Sequence, residues 1–555
     1  MLYLFKNGAN FFKKRQVDIL SAAFVIAASV ALSRLLGLVR YRLLASYFGE
    51  QINLLDSYIA ASILPEAIFE VLIFGTIALA FIPVFSQYLS KSKLKTAWEF
   101  SSTMITLGIL VFLVFAVVVM VLADYIAPLI APGIIAKDPS SRILIARLLR
   151  IMIFAQFFFV ISIFLTGILQ SFQRFIMPAL ASVFYNIGII LSIIFLVPVF
   201  GIYAPAIGMI IGALLHLVVQ LPLTLSLGFK FRFTLDIKRK DVLDTISLMW
   251  PRSLALLLTR ISDIINIALA SIAAIGSIVA FNFAQVLQFV PIALFAGSIS
   301  QAALPSLAIQ YNTKSQKQFK NIFIQSFHQI LFLILPSAAI LAILRIPTVR
   351  LVFGAKEFPW EATVLTGRVL IAFSVGIVAQ ASSLLLTRGF YALRDSITPV
   401  KVNIVTFTLN ILLSLSFILI FHLSIVYLAV AYSTAYIFNA ILLLYLLDKK
   451  VQFEKKALIW PAFKMIVISL ITAISLYIPM KLLDQLVFDT TKTVNLILLT
   501  GIATIVGLAV YLTLCWIFRV EQIYIFAKFA KRIISIPSKF SSPAPTSIDA
   551  QQQNP

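Results

Sequence analysis

The chain has 555 residues, 61% of them hydrophobic and only 12% charged, with a mean hydropathy of +1.05. Soluble domains carry about 25% charged residues, so this composition excludes a water-soluble protein and predicts one that crosses a membrane many times. The single cysteine, Cys515, excludes an internal disulfide framework, and three scattered histidines (His216, His328, His422) form no metal or catalytic motif.

In chain order, a basic N-terminal segment, 1–18, precedes the first predicted span, 19–45. That span is too long for a cleavable signal and lacks a small-residue cleavage site. Its outer half reads SRLLGLVRYRLL, with Arg34 near the middle and Arg40 six residues later. A guanidinium at bilayer depth costs from about 3 to more than about 10 kcal/mol, so it faces a partner or a wet cavity. A turn at FGEQIN (48–53) leads past Asp56 into the second span, 58–88. There Glu66 and Glu70 share one face of LPEAIFE. Counted back from the turn at about 1.5 Å per residue, Arg34 is level with Glu66 and Arg40 with Asp56. The expectation is an Arg34–Glu66 pair in a cavity, with Arg40 beside Asp56 nearer its outer mouth.

Spans at 99–124, 147–172, 176–199 and 203–228 complete a first group of six. A basic linker, 229–243, leads to a second group at 244–272, 276–305, 321–344, 363–388, 398–421 and 424–447. Its first span carries Arg260 and Asp263, three apart and on one face of LTRISDIINIALAS. Two more spans, 459–482 and 494–518, precede a tail, 519–555, whose last residues SSPAPTSIDAQQQNP have a disordered composition.

The distribution of the +23 net charge excludes a nucleic-acid partner. Basic clusters (Lys13 to Arg15, Lys91 to Lys95, Lys230 to Lys240, Lys314 to Lys320, Lys449 to Lys456) fall on the side of both termini. The loops between spans 5 and 6, and 7 and 8, carry no Lys or Arg. This positive-inside pattern predicts cytoplasmic termini, with the basic loops facing membrane lipid headgroups.

The two groups of six also resemble each other. AFIPVFSQYLSKSKLK (80–95) matches ALPSLAIQYNTKSQK (303–317), and GILQSFQRFIMPA (167–179) matches GFYALRDSITPVK (389–401). Pro83 to Pro305 is 222 residues and Pro178 to Pro399 is 221, while Arg260 follows Arg34 by 226. The predicted fold is therefore an all-α polytopic membrane protein of about 14 transmembrane helices. Two pseudo-symmetric six-helix lobes, 19–228 and 244–447, enclose a midplane site, and two C-terminal helices (459–518) lie outside them. Arg34, Arg40 and Arg260 are candidate substrate-binding residues. Asp56, Glu66, Glu70 and Asp263 are candidates for coupling or ion pairing, the alternative being ion pairs that only fix helix packing.

Several stretches resemble the MurJ (MviN) lipid II flippase family. They are SRLLGLVR (33–40) with FG at 48–49 and Asp56, AFIPVFSQY (80–88), IAPG (130–133), QSFQRFIMPA (170–179) and above all RGFYALRDSITPVK (388–401). The family belongs to a superfamily of multidrug and oligosaccharidyl-lipid exporters with a two-lobe core. The resemblance implies a bacterial inner-membrane protein that moves a lipid-linked peptidoglycan precursor to the outer leaflet by alternating access, working alongside cell-wall synthesis proteins. It implies no enzyme activity and no cofactor beyond an unidentified coupling cation. It places Arg34 and Arg40 at the family's first-helix arginines, which meet the anionic headgroup and diphosphate, and Asp56 at the acidic position after them. This chain departs from the family at LPEAIFE, where Phe69 and Glu70 stand at the usual arginines, and at Val286, the usual span 8 arginine. Three arginines thus face four carboxylates. Two other classes stay open: an exporter of another lipid-linked glycan or a cation-coupled small-molecule antiporter, and a transport-inactive cell-envelope scaffold.

Overall fold

The computed structural model describes residues 19–76, 81–313, 315–354 and 358–534. The N-terminal segment 1–18 and the end of the tail, 535–555, lie outside the described residues. Among the described residues there are nineteen α-helices and no strand. They begin with α1 (Ile19–Phe48), α2 (Ile52–Thr76), α3 (Ile82–Ser90), α4 (Leu94–Ile130), α5 (Pro132–Lys137), α6 (Ser140–Ser171), α7 (Ile176–Phe200) and α8 (Tyr203–Ser226). After the linker come α9 (Lys240–Ala273) and α10 (Ser277–Pro291), which runs through a π-helical turn, Ile292–Gly297, into α11 (Ser298–Asn312). Next are α12 (Gln316–Ile343), α13 (Arg345–Phe353), α14 (Trp360–Ala392), α15 (Ile397–Leu415) and α16 (Val426–Val451). The chain finishes with α17 (Lys455–Leu486), α18 (Thr493–Ile517) and α19 (Glu521–Ile534).

All fourteen expected spans coincide with helices, the second being divided between α2 and α3 around residues 77–80, outside the described residues. Among the described residues twelve helical stretches are apolar and long enough to cross a bilayer. The other two expected spans, α1 and α9, are 30 and 34 residues long, enough to cross as well. Charged side chains stand on α1 (Arg34, Arg40 and Arg42), on α2 (Asp56, Glu66 and Glu70) and on α9 (Arg260 and Asp263). Prolines inside α2 (Pro65), α4 (Pro128) and α8 (Pro222) are tolerated because neighbouring membrane helices re-satisfy the freed carbonyls.

The chain divides into two compact units. The first comprises Met1–Leu294, Arg345–Ser383 and Asp395–Leu443. In it α1 packs along α7, α2 along α6 and α9, α6 and α7 along α8, and α9 along α15. An aromatic stack of Phe81, Phe85, Phe100 and Phe164 ties α3, α4 and α6 together. The second unit comprises Phe295–Leu344, Leu384–Arg394 and Leu444–Pro555. There α12 packs on α11 and α17, and α17 on α18. Tyr511 donates to the Phe332 carbonyl at 2.9 Å, and a core of Ala339, Leu344, Leu476 and Ala503 is buried. These units are divisions by packing, whereas the repeat is one of sequence. The repeat nonetheless recurs locally. Gln173 and Arg394, 221 residues apart, both take left-handed backbone (φ 60° and 61°), and Pro178 and Pro399 each stand third in the helix that follows.

Candidate functional site

The charged candidates lie in the first unit, on α1, α2 and α9. Asn186 of α7 fastens α1 beside the first of them: its amide donates to the Ser33 hydroxyl at 3.1 Å and to the Ser182 carbonyl at 3.0 Å. A matching clasp joins α15 to α9, where the Asn410 amide donates to the Ser262 hydroxyl at 3.0 Å. Each clasp lies within two residues of an arginine, Arg34 or Arg260.

Arg34 is exposed, and its guanidinium sits over the Phe289 ring of α10, 5.0 Å from the centroid. Among the described residues it has no ion-pair partner, and Glu70 is the carboxylate whose charge bears on it. Arg40 is half-buried, 4.8 Å from the centre of the Tyr41 ring. Its electrostatic surroundings are the phenols of Tyr41, Tyr185 and Tyr58 and the carboxylate of Glu66. The Arg40 Nε is buried without a hydrogen-bond partner among the described residues.

This differs from the expected Arg34–Glu66 and Arg40–Asp56 pairs. The expectation treats α1 and α2 as a hairpin whose residues of equal depth lie side by side. In the structure α1 packs along α7, while α2 packs along α6 and α9, so equal depth does not bring the side chains together. Asp56 serves another purpose. It is 1% exposed, and its carboxylate accepts the backbone N–H groups of Gly276 and Val279 at 2.5 and 2.8 Å. It thus caps the start of α10, where unpaired N–H groups and the helix dipole favour a negative charge. Gly276 is left-handed (φ 82°) and a Cβ there would sit 3.1 Å from Ile52, so the turn that presents its N–H requires glycine.

Arg260 of α9 is the residue that joins helices. It pairs with Glu70 of α2 and, at 2.8 Å, with Asp263 of its own helix. The three side chains are 31%, 36% and 18% exposed, which makes this a half-solvated bridge. Asp263 also bears on Tyr432 and Tyr436 of α16, and Gln285 of α10 hydrogen-bonds Tyr432. With Asp56 committed to the helix cap, Arg34, Arg40 and Arg260 are balanced by Glu66, Glu70 and Asp263. Arg34 is the exposed cation of this set, without an ion-pair partner among the described residues. Among the described residues no group of three or more His, Cys, Asp or Glu side chains is placed to hold a metal ion.

The sequence reading missed the aromatic half of the site: Tyr41, Tyr58 and Tyr185 around Arg40, Phe289 under Arg34, and Tyr432 and Tyr436 by Asp263. Only Tyr41, adjacent to Arg40, carried a local signal. It also passed over Arg42, which donates to the Leu351 carbonyl of α13 at 2.6 Å. On the side of the basic loops Asp241, at the start of α9, accepts from the Tyr88 hydroxyl at 2.7 Å and from Arg239 at 2.8 Å. Burial pushes the Asp241 carboxyl up, but the hydrogen bonds from Arg239 and Tyr88 and the Arg239 charge outweigh it and hold the group below the usual carboxylate range.

Residues 44–512 match the family model described as lipid II flippase MurJ. The matched stretch contains Asp56, Glu66, Glu70, Arg260 and Asp263, and begins after Arg34 and Arg40. A relative named probable lipid II flippase MurJ, from Buchnera aphidicola subsp. Acyrthosiphon pisum, is 28% identical over 404 residues, 72% of this chain and 78% of its own. Another of that name, from Bdellovibrio bacteriovorus, is 26% identical over 532 residues, 93% of this chain and 98% of its own. Among solved structures, a lipid II flippase MurJ in an inward closed conformation superposes with a TM-score of 0.75 at 24% identity, covering 90% of this chain and all of that one. An inward-facing multidrug resistance MATE family transporter superposes with a TM-score of 0.61 at 14% identity, covering 76% of this chain and 94% of that one, and shares the fold. With most of its length matched to one family model, the chain belongs to the lipid II flippase MurJ family.

Proposed function

We propose that this chain is a lipid II flippase, a transporter that carries a lipid-linked peptidoglycan precursor from the inner to the outer leaflet of the bacterial cytoplasmic membrane by alternating access. The observation that carries this reading is the family match over residues 44–512. The site supports it: Arg34 offers an exposed guanidinium on an aromatic face, suited to bidentate contact with phosphate oxygens. Arg40 and Arg260 are held by aromatic and acidic neighbours and set the field around it. The two six-helix lobes are the bodies that would rock about this site, and the repeated Asn–Ser clasps support that pairing. Both termini are cytoplasmic in this reading, which the positive charge of the basic loops supports.

Expression of this chain in a bacterium depleted of its own flippase tests the reading. Restored growth with normal peptidoglycan supports it, and lysis despite membrane insertion contradicts it. A second reading, export of another lipid-linked glycan or a cation-coupled antiport, is favoured by Glu66 and Glu70 in span 2. It predicts failed complementation together with cation-dependent uptake in proteoliposomes. A transport-inactive scaffold would show neither.

A further inference from the structure

The second unit carries a surface that the transport reading does not use. At the start of α17, Lys455, Lys456, Ile459, Trp460 and Phe463 line a shallow open pocket. Its apolar members are not tucked away: Ile459 is 58% exposed, and Trp460 and Phe463 are each 54% exposed. Trp460 and Phe463 stack at 6.1 Å, and the Lys464 ammonium lies 5.6 Å from the Trp460 ring centre while reaching the Phe518 carbonyl at the end of α18, 3.5 Å away. The neighbouring end of α18 adds exposed Trp516 and Phe518. Beyond it α19 is anchored by Phe526, stacked on Phe332 of α12 at 5.3 Å, and leaves Tyr524 and Lys528 exposed. The α19 sequence adds Lys531 and Arg532 one turn further on.

We propose that this shelf, the Lys455 end of α17 with the Phe518 end of α18 and α19, docks the headgroup of an anionic phospholipid. Two features of the surface agree on that occupant. Ammonium groups interleaved with exposed indole and phenyl rings at helix ends match the boundary of a bilayer, where the rings meet the glycerol and acyl region and the lysines meet phosphate. The charge is also one-sided. Lys449, Lys450, Lys455, Lys456, Lys464, Arg519 and Lys528 outnumber Asp448, Glu454 and Glu521, and the Asp448 carboxylate is already engaged by the Phe453 N–H at 2.8 Å. A soluble acidic partner would satisfy the lysines but leave the apolar rings in water. A zwitterionic lipid would cover the rings but gain little from the lysines. This inference stands apart from the identity of the transported substrate.

The test uses the full chain in detergent micelles titrated with phosphatidylglycerol or phosphatidylcholine, each with brominated acyl chains. The Trp460 emission is isolated by difference against Trp460→Phe. Phosphatidylglycerol should quench Trp460 at a severalfold lower mole fraction than phosphatidylcholine, and the preference should shrink as salt is raised. Lys455→Gln with Lys456→Gln and Lys464→Gln should abolish the preference, and the corresponding three Arg substitutions should keep it. Equal quenching by both lipids in the unmodified chain would overturn the proposal, whether or not the glutamine variant folds. So would a preference retained in that variant, or displacement of phosphatidylglycerol by millimolar inorganic phosphate, which would mark a site for free anions.

Discussion

Replacing Asp56 perturbs the one contact in the site whose energy can be worked directly from geometry. Its carboxylate is buried and accepts two backbone N–H groups at the start of α10, at 2.5 and 2.8 Å. Asp56→Ala strands both donors, at about 1–3 kcal/mol each, and removes a charge that stabilises a helix N-terminus by about 0.3–2 kcal/mol. The α2–α10 junction should weaken by about 3–5 kcal/mol, allowing for partial solvation of the freed groups. Asp56→Asn keeps one acceptor and loses the charge, so it should cost about 1–2 kcal/mol. The assay is maleimide labelling of a cysteine placed at Ser277, which is fully buried beside the cap, in a Cys515→Ala background. If opening breaks this contact, each 1.4 kcal/mol raises the labelled population about tenfold. Asp56→Ala should label about a hundredfold faster or more, and Asp56→Asn about tenfold. Labelling of Asp56→Ala at the unmodified rate would show that the cap does not hold the junction closed, and the reasoning would fail.

Three further outcomes follow from the same structure. Arg260→Ala should leave Glu70 and Asp263 facing each other without a cation. Because the bridge is about a third exposed, the loss should be about 1–3 kcal/mol, between surface and buried pairs; a thermal midpoint in detergent checks it, and Glu70→Gln added to Arg260→Ala should recover part of the loss. Gly133 of IAPG donates its N–H to the Ser271 hydroxyl at 2.9 Å, and a Cβ there would collide with the Ser271 carbonyl, so Gly133→Ala should depress the midpoint while Gly501→Ala, in open space, does not. The depressed Asp241 carboxyl contributes stability that is present above its unfolded pKa of about 3.9 and is lost as pH falls through the lower folded value. Asp241→Asn should therefore cost about 1–3 kcal/mol at neutral pH, and the gap between variant and unmodified chain should close in acid, read as midpoint against pH.

What the sequence made legible was whatever depends on neighbours along the chain. Long apolar runs located the spans. Arg260 and Asp263, three apart on a helix, announced their pair, and the structure has it at 2.8 Å. The contacts it did not announce join residues far apart in sequence. Asp56 and Gly276 are 220 residues apart, and nothing in either segment marks a carboxylate destined for a helix start. Equal depth in adjacent helices was a poor guide because the partner of α1 is α7, chosen by the Asn186–Ser33 clasp and close packing. Arg40 found tyrosines from three helices beside the Glu66 carboxylate, a grouping that no local spacing announces.

Under the proposed function, Arg34 is left unpaired to receive an anionic substrate. The most direct test is translocation of the lipid-linked precursor, scored by complementation of a flippase-depleted strain, for Arg34→Ala, Arg34→Lys and Arg34→Ala combined with Glu70→Ala, each verified for insertion. Arg34→Ala should insert normally and fail, Arg34→Lys should rescue partly because a point charge lacks the bidentate fork, and removing Glu70 as well should not restore function. Normal growth with Arg34→Ala, or full rescue by the double variant, would contradict this, because the arginine would then serve packing or charge balance and not the substrate.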